Sequence, residues 1–197
     1  MAPAGVMAQK VYKQGSGNNT QVVLDMTEEA GMPAGSMTAT KKYTGTYSPS
    51  NTGWLINATE NTADGPINAT VYQKLEIAPL FVSSATANTL GDWVHMNWAQ
   101  AFQRCKGISV NGRGNWRLPT QREAYMIWLF VPALNEIFIG MGNSAATALP
   151  FTNINYWTAN EGHDNNSRAW TVNINLDGYG QTTLKTNARP ARCVREL

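Results

Sequence analysis

The sharpest periodicity in the chain begins after Gly91. Trp98, Ala101, Phe102 and Cys105 follow the i, i+3, i+4, i+7 spacing of one helix face. Asn97 precedes them as a candidate N-cap, with Gln100 three residues later and Gly107 as a stop. A short amphipathic helix over 98–106 is predicted. A loop with Gly112 and Gly114 leads to Thr120 and Glu123, which form a T-x-x-E capping box. Ala124, Ile127, Trp128 and Val131 share one face of the helix it opens. Pro132 is expected to end that helix, and 133–152 reads as mixed, with Gly140 and Gly142 breaking any regular pattern.

From Tyr156 the period becomes two. Trp170, Val172, Ile174 and Leu176 alternate with Thr171, Asn173, Asn175 and Asp177, which predicts a strand with one buried and one wet face. Asp177-Gly178 is a favoured hairpin pair, and 180–186 reads as the returning strand. A last strand alternates Ala191, Cys193 and Arg195 with Arg192, Val194 and Glu196. Upstream, 1–75 is rich in strand and turn signals. Val22 to Leu24 and Val71 to Ile77 read as strands, and Gly15 to Gly17, Pro33 to Gly35 and Ser48 to Gly53 as turns. Trp54, Leu55 and Ile56 add a short apolar run. Helices followed by antiparallel strands make an α+β layout. The expected division is a β-rich region over 1–75, separate or integrated, and a ligand-binding domain over 76–197.

Composition narrows the function. Only 14% of residues are charged, so Asn, Thr, Ser and Gly supply the polarity, as is common outside cells. The net charge is +2 with no basic run, so no nucleic-acid partner is expected. No run of 18 apolar residues predicts a membrane span. Met1 to Lys10 lacks the pattern of a signal peptide, which leaves a cytoplasmic protein or one whose leader was removed. Sequons at Asn18, Asn57, Asn68 and Asn165 are what an Asn-rich chain produces by chance.

Several blocks, in order, resemble a known family. Trp98 to Cys105 is similar to the first helix of C-type-lectin-like domains, and Ala191 to Val194 to their terminal strand. Asn115 to Glu123, with Trp116, Arg117, Leu118, Pro119 and Thr120, resembles the signature of a bacterial branch of that fold. Tyr156 to Thr158, Ala169 to Asn173 and Arg192 to Arg195 resemble its later blocks. The resemblance covers about 92–197 and says nothing of 1–75. It implies a C-type-lectin-like fold, two helices plus twisted antiparallel sheets, preceded here by a β-rich N-terminal segment.

Members of this branch include surface and fimbria-associated proteins of gut Bacteroidetes. Some are variable proteins of diversity-generating retroelements. The resemblance therefore implies an extracellular or cell-surface protein that binds a protein or glycan on another cell, phage or host surface, with pilus subunits as possible partners. The tract from Gly178 to Leu197 resembles the family's Asn-rich ending, keeping Lys185, Thr186 and Asn187, and Arg192 to Arg195. Tyr179, Gln181, Thr183, Leu184, Ala188 and Arg189 stand between. A diversified face and an ordinary Asn/Thr-rich hairpin both fit. From spacing alone, Cys105 and Cys193 could be a clamp or two buried thiols. The family pattern implies the disulfide.

No metal, cofactor or catalytic set is expected. Two histidines and two distant cysteines do not make a zinc site. The calcium-binding triplets of sugar-binding lectins are missing, and no G-x-S-x-G stands in the chain. A formylglycine-generating type of enzyme, which shares the broader fold, would need a pair of reactive cysteines near the C-terminus. Glu60 with Asp64 and Glu161 with Asp164 read as solvated loop charges, and His95 as structural. Trp98, Trp116, Trp128, Trp157 and Trp170 are expected in the core, as is Trp54. The expected ligand face combines adaptable polar groups with aromatic area. It comprises Asn160, His163, Asn165, Arg168, Thr171, Asn173, Asn175, Tyr179, Gln181, Thr183 and Arg189, with Tyr179 and Arg189 as its anchors.

Overall fold

The structure, a computed structural model, describes residues 10–27, 74–143, 154–162, 165–174 and 178–197, with side chains except at 161, 162, 165 and 166. The chain opens with β1 (Val11–Gln14) and β2 (Gln21–Asp25), then β3 (Lys74–Ile77), β4 (Phe81–Val82) and β5 (Leu90–Gly91). Three helices follow: α1 (Trp98–Gly107), α2 (Gln121–Leu129) and α3 (Val131–Gly140). The chain closes with β6 (Asn155–Gly162), β7 (Asn165–Asn173), β8 (Gly180–Leu184) and β9 (Val194–Glu196). This is the α+β class expected.

Both capping boxes form. The Asn97 side chain accepts from the Gln100 N–H at 2.8 Å, and the Gln100 side chain accepts from the Asn97 N–H at 3.0 Å. Thr120 and Glu123 exchange the same pair at the head of α2. Pro132, expected to end the second helix and begin a mixed segment, instead lies in the first turn of α3. There its missing N–H is one that no helix would pair. The chain turns by 74° between α2 and α3 without leaving helical structure for long.

Sheet order is β1-β2-β3-β9, antiparallel throughout, with Val23 opposite Glu76 and Glu76 opposite Arg195. The first described strands thus share a sheet with the last. Arg113 fastens this arrangement. Its guanidinium donates to the carbonyls of Asn18 and Thr20 and to the Glu76 carboxylate. Arg195 holds the other oxygen of Glu76, which is buried. A buried carboxylate needs such pairing, since an unpaired one costs several kcal/mol.

The second sheet, β6-β7-β8, packs against an apolar cluster on each side. Tyr156 and Val172 face Ala124, Ile127 and Phe138 in one apolar cluster. Trp157 and Ala169 face Trp98, Phe102 and Cys105 in another. The alternation in β7 was expected to leave a wet face. Instead Thr171 and Asn173 are buried, as are Val172 and Ile174. Small polar residues tolerate this because they are bonded: the Thr171 hydroxyl meets the Gln181 carbonyl at 3.2 Å and the Thr183 hydroxyl at 3.0 Å. The last strand, expected over 191–196, is shorter (β9 begins at Val194), and Ala191, Arg192, Cys193 and Val194 are all buried rather than alternating.

Cys105 and Cys193 are joined by a disulfide, with Cα atoms 5.4 Å apart, in the second cluster. It ties α1 to the segment entering β9. Two cations near the C-terminus are also interior. Lys185 lies over the Trp98 ring at 4.3 Å. Arg192 lies between the rings of Phe81 and Phe138, 4.5 Å from each. Burial draws the Arg192 guanidinium down to about 9, against an opposing pull from Tyr156. The two ring faces and the Pro79 carbonyl, at 2.8 Å, offset that cost.

Candidate functional site

The expected ligand residues do not share one surface. His163 and Asn175 lie outside the described residues, as do Trp54 to Ile56, Asn57, Glu60, Asp64, Asn68, Asp164 and Asp177; the side chains of Asn165 and Glu161 are likewise not described. Asn160, Thr171, Asn173 and Thr183 are buried. Asn160 accepts from the Gln121 N–H at 2.6 Å and so supplements the cap of α2. Its role in the structure is to hold a helix. Arg189 is half-buried and pairs twice through its main chain with Met96, at 3.1 and 3.0 Å. Arg168, Tyr179 and Gln181 keep accessible surface, with Tyr179 58% exposed.

The register of β7 and β8 defines a surface that sequence reasoning missed. Arg168 lies opposite Leu184, Trp170 opposite Thr182, and Val172 opposite Gly180. Directly opposed residues, and residues two apart, project from the same face. Val172 is in the cluster with α2, so this is the α2 side of the sheet. A Cβ on Gly180 would run into the Tyr125 hydroxyl, and one on Gly178 would lie 2.7 Å from the Trp128 ring. These glycines let α2 settle onto that end of the ribbon. Beyond the helix the cover ends. Arg168, Trp170 and Thr182 are partly exposed and Leu184 is 41% exposed.

Trp170 was expected in the core; it is half-buried at the margin of the sheet. The indole N–H groups of Trp98, Trp116 and Trp157 each bond a main-chain carbonyl. Trp170 makes no such bond among the described residues. The one available signal was its even position with Arg168, which argued that this end of the face meets water. The ribbon beneath is rigid. Thr158 donates to the Trp170 carbonyl at 2.9 Å, and the Arg168 guanidinium donates to the Thr182 carbonyl at 2.9 Å. The reverse side rests on the cluster that holds the disulfide. Such an arrangement can hold an aromatic, an aliphatic and a cationic group in fixed positions, which is the chemistry of a recognition surface.

Among the described residues no three His, Cys, Asp or Glu side chains gather as metal ligands, and no cysteine is free. No single described helix is long and apolar enough to cross a membrane. No curated protein matches the chain in sequence. The family model of the Lcl C-terminal domain matches residues 54–195, most of the chain. That match spans both capped helices, the disulfide and the β7–β8 ribbon, and the chain therefore belongs to the Lcl C-terminal domain family, a C-type-lectin-like family.

Proposed function

We propose that this protein is a surface-displayed ligand-binding or adhesion module, and that it binds through the β7–β8 face rather than catalysing a reaction. One observation carries the reading: Trp170 and Leu184 remain accessible on a ribbon whose reverse side is packed against a disulfide-anchored core. Interfaces draw most of their energy from a few anchors, among which Trp and Arg are enriched, and Leu184 adds apolar area beside them. The disulfide supports export, since such bonds persist in oxidising compartments. Because both cysteines are used in it, neither serves as a thiol nucleophile of the formylglycine-generating type.

A retroelement-diversified ending is a finer version of the same proposal. It would vary accessible positions such as Tyr179, Gln181, Leu184 and Ala188 and spare the buried Lys185, Arg192 and Cys193. A reverse-transcriptase gene beside a near-copy of the 3′ end would support it. The pilus-subunit reading calls for an unpaired strand within residues 1–30; of that range the described strands β1 and β2 pair with each other.

The test is binding of the labelled full chain to a panel of epithelial and bacterial cells by flow cytometry. The expected result is saturable binding that Trp170→Ser with Leu184→Ser lowers at least ~10-fold, the loss expected from removing interface anchors. The double variant should retain its disulfide and near-UV circular dichroism. Equal binding by the folded double variant overturns the assignment of the site.

A further inference from the structure

We infer that the β7–β8 face selects a protein surface presenting an apolar side chain beside a carboxylate, an inference that rests on the binding reading above. The register sets the size of the platform. Arg168, Trp170, Thr182 and Leu184 form a two-by-two grid. Rows on one face lie about 7 Å apart and strands about 5 Å apart, so the grid matches one anchoring side chain and its neighbours. Trp170 and Leu184 occupy one diagonal and offer apolar area. Tyr125 of α2, seated above Gly180, closes one side as a wall.

Charge decides the partner's neighbouring group. Arg168 occupies the second diagonal with Thr182, and its Nη1 donates to the Thr182 carbonyl. Among the described residues no carboxylate pairs with it, whereas Arg113, Arg117 and Arg195 each hold one. An arginine held by a single carbonyl keeps further donors in a planar fork that suits a carboxylate. A second copy of this chain meeting the platform about its centre would bring two such guanidinium groups together, which disfavours self-association there.

The grid is poorly suited to a sugar. Hydroxyl-rich ligands require several convergent acceptors and donors, and each hydroxyl left unpaired on binding costs affinity. Among the described residues the grid supplies the Thr182 hydroxyl and one guanidinium, with the Tyr125 hydroxyl and the Gln121 amide at the rim. Leu184 occupies a corner that a sugar site would give to a polar group.

The experiment selects phage-displayed random dodecapeptides on the immobilised, disulfide-bonded full chain, alongside an array of neutral and acidic oligosaccharides. The expected peptides carry an apolar residue within a few positions of Asp or Glu. Changing that acid to its amide should weaken binding to the wild type at least ~5-fold and leave binding to Arg168→Gln unchanged, the signature of a direct pair. Selected peptides without an acidic preference overturn the inference. So does saturable oligosaccharide binding that Trp170→Ser abolishes. Either result leaves the site itself standing, whereas cell binding that survives the double serine variant removes the site.

Discussion

The Lys185 ammonium lies over the ring of Trp98, 4.3 Å from its centroid, and the Lys185 carbonyl accepts from the Trp98 main-chain N–H at 3.0 Å. The segment leaving β8 is thereby fastened to the head of α1 by both its side chain and its backbone. Lys185→Ala empties a buried site about the size of a methionine and should cost about 2–4 kcal/mol. Lys185→Met keeps the stem but gives up the ammonium, with its attraction for the ring and its other polar contacts, and should cost less than Lys185→Ala. Urea denaturation of the three proteins should give midpoints in the order wild type, Met, Ala.

The disulfide closes a loop of 88 residues between Cys105 and Cys193. On the chain-entropy account a loop of that length adds about 4–5 kcal/mol by restricting the unfolded chain. Urea unfolding of the wild type against Cys105→Ala with Cys193→Ala should show a loss no larger than this. Thiol labelling of unfolded, unreduced wild type should find no free cysteine.

Arg192 is buried between Phe81 and Phe138, and its Nη2 donates to the Pro79 carbonyl. That carbonyl also accepts from Asn143 at 2.6 Å, so removing the arginine does not strand it. Arg192→Met keeps much of the volume between the rings but gives up the guanidinium's polar contacts, and should cost less than Arg192→Ala. Arg192→Ala should cost about 3–5 kcal/mol through the cavity it leaves between two rings. Thermal unfolding of both variants distinguishes packing from charge.

Acid should loosen the N-terminal sheet through Asp25. Burial acts to raise its carboxyl, but hydrogen bonds from Thr27 and the Lys74 ammonium at 3.2 Å together hold it below the usual range. A depressed carboxylate contributes stability that is full above its unfolded pKa of about 3.9 and fades as pH falls through the folded value. The stability gap between wild type and Asp25→Asn should be constant from pH 7 to 5 and shrink below pH 4. A gap independent of pH would remove Asp25 from the acid response.

How much of this was legible in the sequence depended on range. The heads of α1 and α2 were readable because Asn97 with Gln100, and Thr120 with Glu123, act within one turn. Pro132 misled because one residue type both breaks a helix and starts one, and only the position of the next turn decides. Thr171 and Asn173 misled for a longer-range reason. Alternation predicts a wet face only where nothing covers it, and here Ala169, on the same face of β7, packs in a cluster with Trp98 and Phe102, more than sixty residues upstream. A contact more than forty residues upstream likewise hid Trp170, whose exposure depends on how far α2 covers the ribbon around Gly180. Pairing of β2 with β3 and of β3 with β9 joins segments far apart in sequence, and no local pattern encodes it.

The most direct measurement is hydroxyl-radical footprinting of the chain free and bound to the cells it recognises. Trp170 and Leu184 are accessible on the ribbon, and Leu129 of α2 and Ile139 of α3 are 55% and 48% exposed. Binding should protect Trp170 and Leu184 while Leu129 and Ile139 stay as reactive as before. Protection of Leu129 and Ile139 with Trp170 unchanged would contradict the account and move the binding surface to the helices.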